Sequence, residues 1–200
     1  MTSIWKLSVL KKELDKLGYK YNKDELANTI KSMSYQQKTE YGNKLLLEYT
    51  KNYLTPILAR HNEEKEKATN YNEFMKVIEN EQNTFVKLHN DNRFGIQALY
   101  EHNNSKIKLS VLASSAAVIH SLGGMKKVLS TIDYALKHNI TDRETVVADL
   151  RRNGGNLEYT HDILSRKCES HKMEMSSKTK EHEQNKSNEI KIDRDRGMSL

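Results

Sequence analysis

One proline and eight glycines are all that interrupt 200 residues. A chain so poor in turn breakers cannot make the many tight reversals of an all-β fold, and it reads instead as helices joined by short corners. The apolar residues agree. Leu7, Leu10, Leu14 and Leu17 fall at helical spacing in a helix expected from Ser3 to Gly18. "NKDEL" then offers Asn22 as an N-cap with Glu25 three residues on, a capping-box pattern opening a helix that carries Leu26, Ile30 and Met33.

A longer helix is expected from Tyr35, with Tyr41, Leu45, Leu46, Tyr49 and Tyr53. It should turn a corner where Thr55 can cap and Pro56 fits a first helical position. "HNEEKEK" reads as a solvated helix end. Tyr71, Phe74, Ile78, Phe85 and Leu88 predict an amphipathic helix over 71–88. A short helix with Phe94, Ala98 and Leu99 follows, closed by "EHNNSK". The stretch from Lys106 to Leu122 is the most apolar and the richest in small residues, which marks it as the central element.

Gly123 and Gly124 should stop that helix, and Met125, Val128, Leu129, Ile132 and Leu136 form the face of the next. Thr141 with Glu144 is a second capping-box pattern, followed by Val146, Val147 and Leu150. After "NGGN", Leu157, Ile163 and Leu164 predict one more helix. Beyond Cys168 the pattern fails. The charged tail, 169–200, is expected as a frayed helix passing into disorder, because it cannot bury enough apolar surface to offset its ordering entropy.

The fold class is therefore all-α. It is a multi-helix bundle, either one body or two small lobes split near "EHNNSK", with an N-terminal helical region (1–103), a C-terminal one (104–168) and the tail. The apolar share of 36% is below the roughly 45–50% of an average globular chain, so part of the sequence must stay outside the core.

A net charge of +6 suits a polyanionic partner, and it equally suits a plain solvated helical protein. Cys168 is the only cysteine, which excludes an intramolecular disulfide and points to a reducing, cytoplasmic setting. The N-terminus lacks the apolar core of a signal peptide. No run of about 18 apolar residues suggests a membrane span, so no membrane partner is expected.

Catalytic constellations are not legible. His61, His89, His102, His120, His138 and His161 form no HExxH and no paired spacing with Cys168, and there is neither a P-loop nor a G-x-G-x-x-G. The expectation is a non-enzyme with no cofactor, no metal and no catalytic residue.

"LRRNGGNLEYTHDILSRK" resembles the helix-turn-helix of Fis-type regulators in Leu150, Gly154, Gly155, Asn156 and Leu164. Thr160 and His161 stand where that family usually has two alanines, and Ser165 where it has the glycine of a second turn. The resemblance implies a turn near Ser165 and a recognition helix from about Arg166. DNA contacts would come from Arg151, Arg152, Asn156, Arg166, Lys167 and Lys172. A plain helical hairpin is the alternative.

The end, "KIDRDRGMSL", is similar to the hydrophilic C-termini of proteins moved by type IV secretion systems, conjugative relaxases among them. The matching residues are Arg194, Arg196 and Gly197, then Met198, Ser199 and Leu200. Together the two resemblances imply a DNA-associated accessory protein of plasmid mobilisation, with DNA and a relaxase or secretion component as partners. A second expectation comes from ten tyrosines against three phenylalanines. It is a helical protein-interaction module such as an effector, inhibitor or scaffold.

Overall fold

The computed structural model describes residues 7–102 and 108–196, and side chains within 7–102 and 109–183. Among the described residues there are nine helices and no strand, the all-α class expected of a breaker-poor chain. They are α1 (Leu7–Lys16), α2 (Lys23–Lys31), α3 (Tyr35–Lys67), α4 (Tyr71–Asp91), α5 (Arg93–Glu101), α6 (Lys108–Ser121), α7 (Met125–Lys137), α8 (Arg143–Arg152) and α9 (Leu157–Arg196). The expected helix starts at Ser3 and Lys106 lie outside the described residues, as do 103–107 of "EHNNSK".

Short polar side chains set most of the helix starts. Asn22 accepts from the backbone N–H groups of Asp24 and Glu25 at 3.0 and 3.2 Å, capping α2 as expected. A reciprocal capping box with no counterpart among the expected caps opens α3, with Ser34 and Gln37 each accepting from the other's backbone N–H. The cap of α8 is Asp142, not Thr141. Its Oδ1 accepts from the Thr145 N–H at 2.7 Å and its Oδ2 from the Thr145 hydroxyl at 2.8 Å. A carboxylate at that position also meets the positive end of the helix dipole, which a threonine cannot exploit.

The corner expected at Thr55 and Pro56 does not exist, because α3 runs unbroken for 33 residues with Pro56 inside it. Pro56 lies on the solvent face, where water can satisfy the carbonyl its missing N–H leaves behind. Thr55 Oγ1 donates to the Lys51 carbonyl at 2.7 Å rather than capping a new helix. On the opposite face Leu54 and Leu58 are buried, and burial on both sides of the proline keeps the chain helical through it.

Three apolar clusters form the core. The first joins Leu10 and Leu14 of α1 to Leu26 and Ile30 of α2, Leu46 of α3 and Ala98 of α5. A second packs Leu54 and Leu58 against Phe85, Leu88, Leu99, Leu112 and Ala116. The third gathers Phe74 and Ile78 of α4 with Ile119, Val128, Ile132, Val146, Leu150, Leu157, Leu164 and Cys168. α6 packs against α4, α5, α7 and α9, and its Leu112, Ala113, Ala116 and Ile119 have no exposed surface. Its small residues permit the close approach that the central position demands.

α9 is anchored by Leu157, Leu164 and Cys168, the last buried in the third cluster. From 172 to 183 every described side chain is exposed, Met173 and Met175 included. The tail is thus helical through Arg196, and residues 197–200 lie outside the described residues. Among the described residues no helix is long and apolar enough to cross a membrane.

Pro56→Ala restores one helical hydrogen bond at an exposed site, and the unfolded chain regains some entropy in return. Stability should rise by about 1–3 kcal/mol, read as a higher urea midpoint at an unchanged slope.

Candidate functional site

α8 ends in a turn whose two glycines hold backbone angles other residues resist. Gly154 and Gly155 have φ of 65° and 87°. The Gly155 N–H donates to the Leu150 carbonyl at 2.7 Å and the Gly154 N–H to Arg151 at 3.3 Å, closing the end of α8. Asn156 then caps α9, its Oδ1 accepting from the Tyr159 N–H at 3.0 Å and from the Ser115 hydroxyl of α6 at 2.7 Å. Gln82 of α4 donates to the Gly155 carbonyl at 3.1 Å. The turn is therefore fastened to two neighbouring helices.

Beneath it lies a polar cluster. Lys65 of α3 meets Glu81 of α4 at 2.6 Å, with side-chain exposures of 11% and 1%. The expectation that "HNEEKEK" is wholly solvated fails here, because His61 and Lys65 are one helical turn apart and both point inward. Glu63, Glu64, Glu66 and Lys67 remain exposed. Glu81 Oε1, Gln82 Oε1 and His61 Nδ1 are buried without a protein hydrogen-bond partner. Burial pushes the His61 imidazole below its ordinary value; Glu81 and Glu64 oppose the shift, and Arg60 and Lys65 reinforce it.

Above the cluster opens a cleft of about 560 Å³. Phe74, Ile78 and Leu150 supply its apolar floor, and Asn62, Lys65, Glu66 and Arg151 are among its polar walls. A neighbouring cleft of about 290 Å³ shares Phe74 and Arg151 and continues past Val147 to Arg143 and Tyr71. Arg143, Val147 and Arg151 recur every fourth residue on one face of α8. The Arg143 guanidinium lies 5.4 Å from the centre of the Tyr71 ring, and that of Arg151 5.2 Å from Phe74. The two clefts make one groove between α4 and α8, lined by stacked arginines and aromatics.

The helix-turn-helix expectation is corrected by α9. That helix passes unbroken through Ser165 and Arg166, so there is no second turn and no separate recognition helix. Between Leu157 and Arg196 the sequence contains no glycine and no proline, and Leu164 and Cys168, one turn apart, bury on the same face. Ser165 Oγ lies 3.3 Å from His161 Nε2, inside the helix rather than at a turn.

Of the residues expected to contact DNA, Arg151 lines the groove and Asn156 is the cap of α9. Arg152 pairs with Asp149 at 3.4 Å, and Arg166 with Asp162 at 2.8 Å. Lys172 Nζ lies 4.7 Å from the centre of the Tyr134 ring, and Lys167 is exposed on α9. The structure brings Arg151 and Asn156 to the two sides of one turn and strings the other α9 residues along a single helix. Arg194 and Arg196 fall in its last turns, with side chains outside the described residues. Among the described residues no three His, Cys, Asp or Glu side chains converge as a metal site.

Phe74, Lys65, Glu81 and Gln82 were not among the expected site residues. No family model matches the chain, and no curated protein or solved structure compared with it gives a match.

A Cβ on Gly155 would be held at positive φ and would meet Glu81 Oε1 at 3.4 Å. Gly155→Ala should cost about 1–2 kcal/mol in a denaturant titration, from the left-handed backbone alone. Acid should also weaken the fold. His61, and likewise His161, whose value is lowered by burial first and Lys127 next, are held neutral in the folded chain, while the unfolded chain takes the proton near pH 6.5. Their contribution is present above about pH 6.5 and is lost as pH falls below it. Tm should drop between pH 7 and pH 5, and His61→Gln should make that drop shallower.

Proposed function

We propose that this chain is a non-enzymatic protein-interaction module that receives a segment of a partner protein in the groove between α4 and α8. The observation that carries the reading is the pair of adjoining clefts in which Arg151 lies over Phe74 and Arg143 over Tyr71. Aromatic and arginine side chains around an apolar pocket are the composition from which protein-binding hot spots are built. The turn forming one end of the groove is fixed by hydrogen bonds, so the pocket is preorganised and little ordering entropy opposes binding.

The plasmid-mobilisation reading draws less support from the fold. It relied on a recognition helix, and the helix that replaces it carries nine basic and nine acidic residues over 157–196. The basic excess lies elsewhere, with eleven Lys and Arg against six Asp and Glu in residues 1–60.

A photo-crosslinking residue in place of exposed Ala148, at the groove's rim, tests the proposal in the native host. One protein should be captured, and Arg151→Glu in the same chain should abolish its capture. Absence of any protein crosslink, together with salt-sensitive retention of DNA in a mobility-shift titration, would overturn it in favour of the DNA-associated role.

A further inference from the structure

The two charges of α5 stand at the wrong ends of the helix. Arg93 is its first residue, at the positive end of the helix dipole, and Glu101 its last, at the negative end. α5 has no acidic residue in its first turn and no basic one in its last, whereas α2 and α8 have both. Among the described residues neither charge has an ion-pair partner. Glu101 accepts from Gln97 Nε2 at 2.7 Å, and Glu13, which meets the Phe94 N–H, is held by Lys16 at 3.4 Å rather than by Arg93.

Arg93, Gln97, Tyr100 and Glu101 fall on one side of α5, at positions i, i+4, i+7 and i+8. That side is open. Arg93 and Glu101 are exposed, and Tyr100 keeps 64% of its surface. A cavity of about 350 Å³ lies along it, lined by Arg93, Ile96, Gln97 and Tyr100 of α5 and by Ala113 and Ala117 of α6 among others. α6, which packs on α5, carries no Asp, Glu, Lys or Arg from Leu109 to Leu122, in a chain of which 30% is charged.

We infer that this face pairs with the same face of a second copy of the chain, the two α5 helices lying antiparallel about a twofold axis at Gln97. Arg93 and Glu101 are each four residues from Gln97, so the rotation sets Arg93 of each copy against Glu101 of the other. Each charge then meets the end of the second helix that it complements, the arginine a negative C-terminus and the glutamate a positive N-terminus. A mismatch within one chain becomes a match between two. The Gln97 amides meet at the axis, where each can donate and accept.

Tyr100 fits the same register. It stands three residues beyond Gln97, so the twofold lays it over the stretch between Arg93 and Gln97 of the other copy, where the cavity opens. Copies of a chain with a net charge of +6 repel one another, and the uncharged flank of α6 adds no like-charge contact to this approach. A face shaped for an unrelated protein has no need to complement itself. The nine residues of α5 span only about 14 Å, so the contact is small and the association weak.

Sedimentation equilibrium of the full chain tests the pairing, in low salt and from about 1 µM to about 1 mM, the range in which a contact of this size associates. The apparent mass should climb toward that of two chains. Arg93→Glu alone and Glu101→Arg alone should each weaken association at least about tenfold, because like charges then face each other twice. An equimolar mixture of these two variants should associate again, and so should the double variant Arg93→Glu/Glu101→Arg. Each single substitution suits the dipole of α5 itself, so neither should lower Tm. A chain that stays single throughout the range, association that survives Arg93→Glu, or a mixture that fails to pair overturns the proposal.

Discussion

Glu81 lies in the middle of the buried face of α4 with no exposed surface, and its carboxylate is tied to Lys65 at 2.6 Å. A charge so placed admits only those arrangements of the neighbouring helices that bring a cation to it. Removing the lysine alone would leave an uncompensated buried carboxylate at a cost of about 3–5 kcal/mol. Lys65 belongs to the last turn of α3, so the ion pair fixes where that 33-residue helix ends against α4. Gln82, the next residue, holds the Gly155 carbonyl and with it the turn into α9. Apolar packing between α3, α4 and α8 tolerates sliding; these polar contacts do not. The groove exists because the turn is held there.

Much of the fold was legible where local chemistry decides the outcome. Asn22 caps as its type and spacing predict, and Gly18, Gly123, Gly124, Gly154 and Gly155 all adopt the left-handed backbone that stops a helix. The failures share one cause. Pro56 carries a strong local signal for a corner, yet Leu54 and Leu58 bury on the other side of the helix and outweigh it. Ser165 was read as a turn from its place in a motif, although nothing around it breaks a helix. Thr141 and Asp142 are adjacent possible caps, and only the position of Thr145 relative to each distinguishes them.

The candidate site was legible in part. Glu81 falls in register with Phe74, Ile78, Phe85 and Leu88, so a carboxylate on the buried stripe of α4 was visible in the spacing alone. Its partner was not, because Lys65 is sixteen residues away on another helix, among charges that periodicity assigns to solvent. Arg151 is legible in the sequence as a cation beside the double glycine. Its neighbour in space is Phe74, some seventy-seven positions earlier, and no local pattern links the two. Tertiary pairing of this kind sets Arg151 in the wall of a groove.

The same reasoning bears on α9. Its forty residues span about 60 Å of helix, and its last buried anchor among the described side chains is Cys168, twelve residues in. Over 172–183 every side chain is exposed, so that stretch has little apolar packing to sustain it and relies on backbone hydrogen bonds and on charges of both signs close together. Equal numbers of acids and bases relieve the self-repulsion that a basic arm would suffer, and by the same balance they remove the field that would draw it to phosphate. A helix so composed carries no net charge of its own. On the proposed reading, recognition falls to surfaces that the packed helices hold rigid, and the groove between α4 and α8 ends in a turn fixed by buried polar contacts.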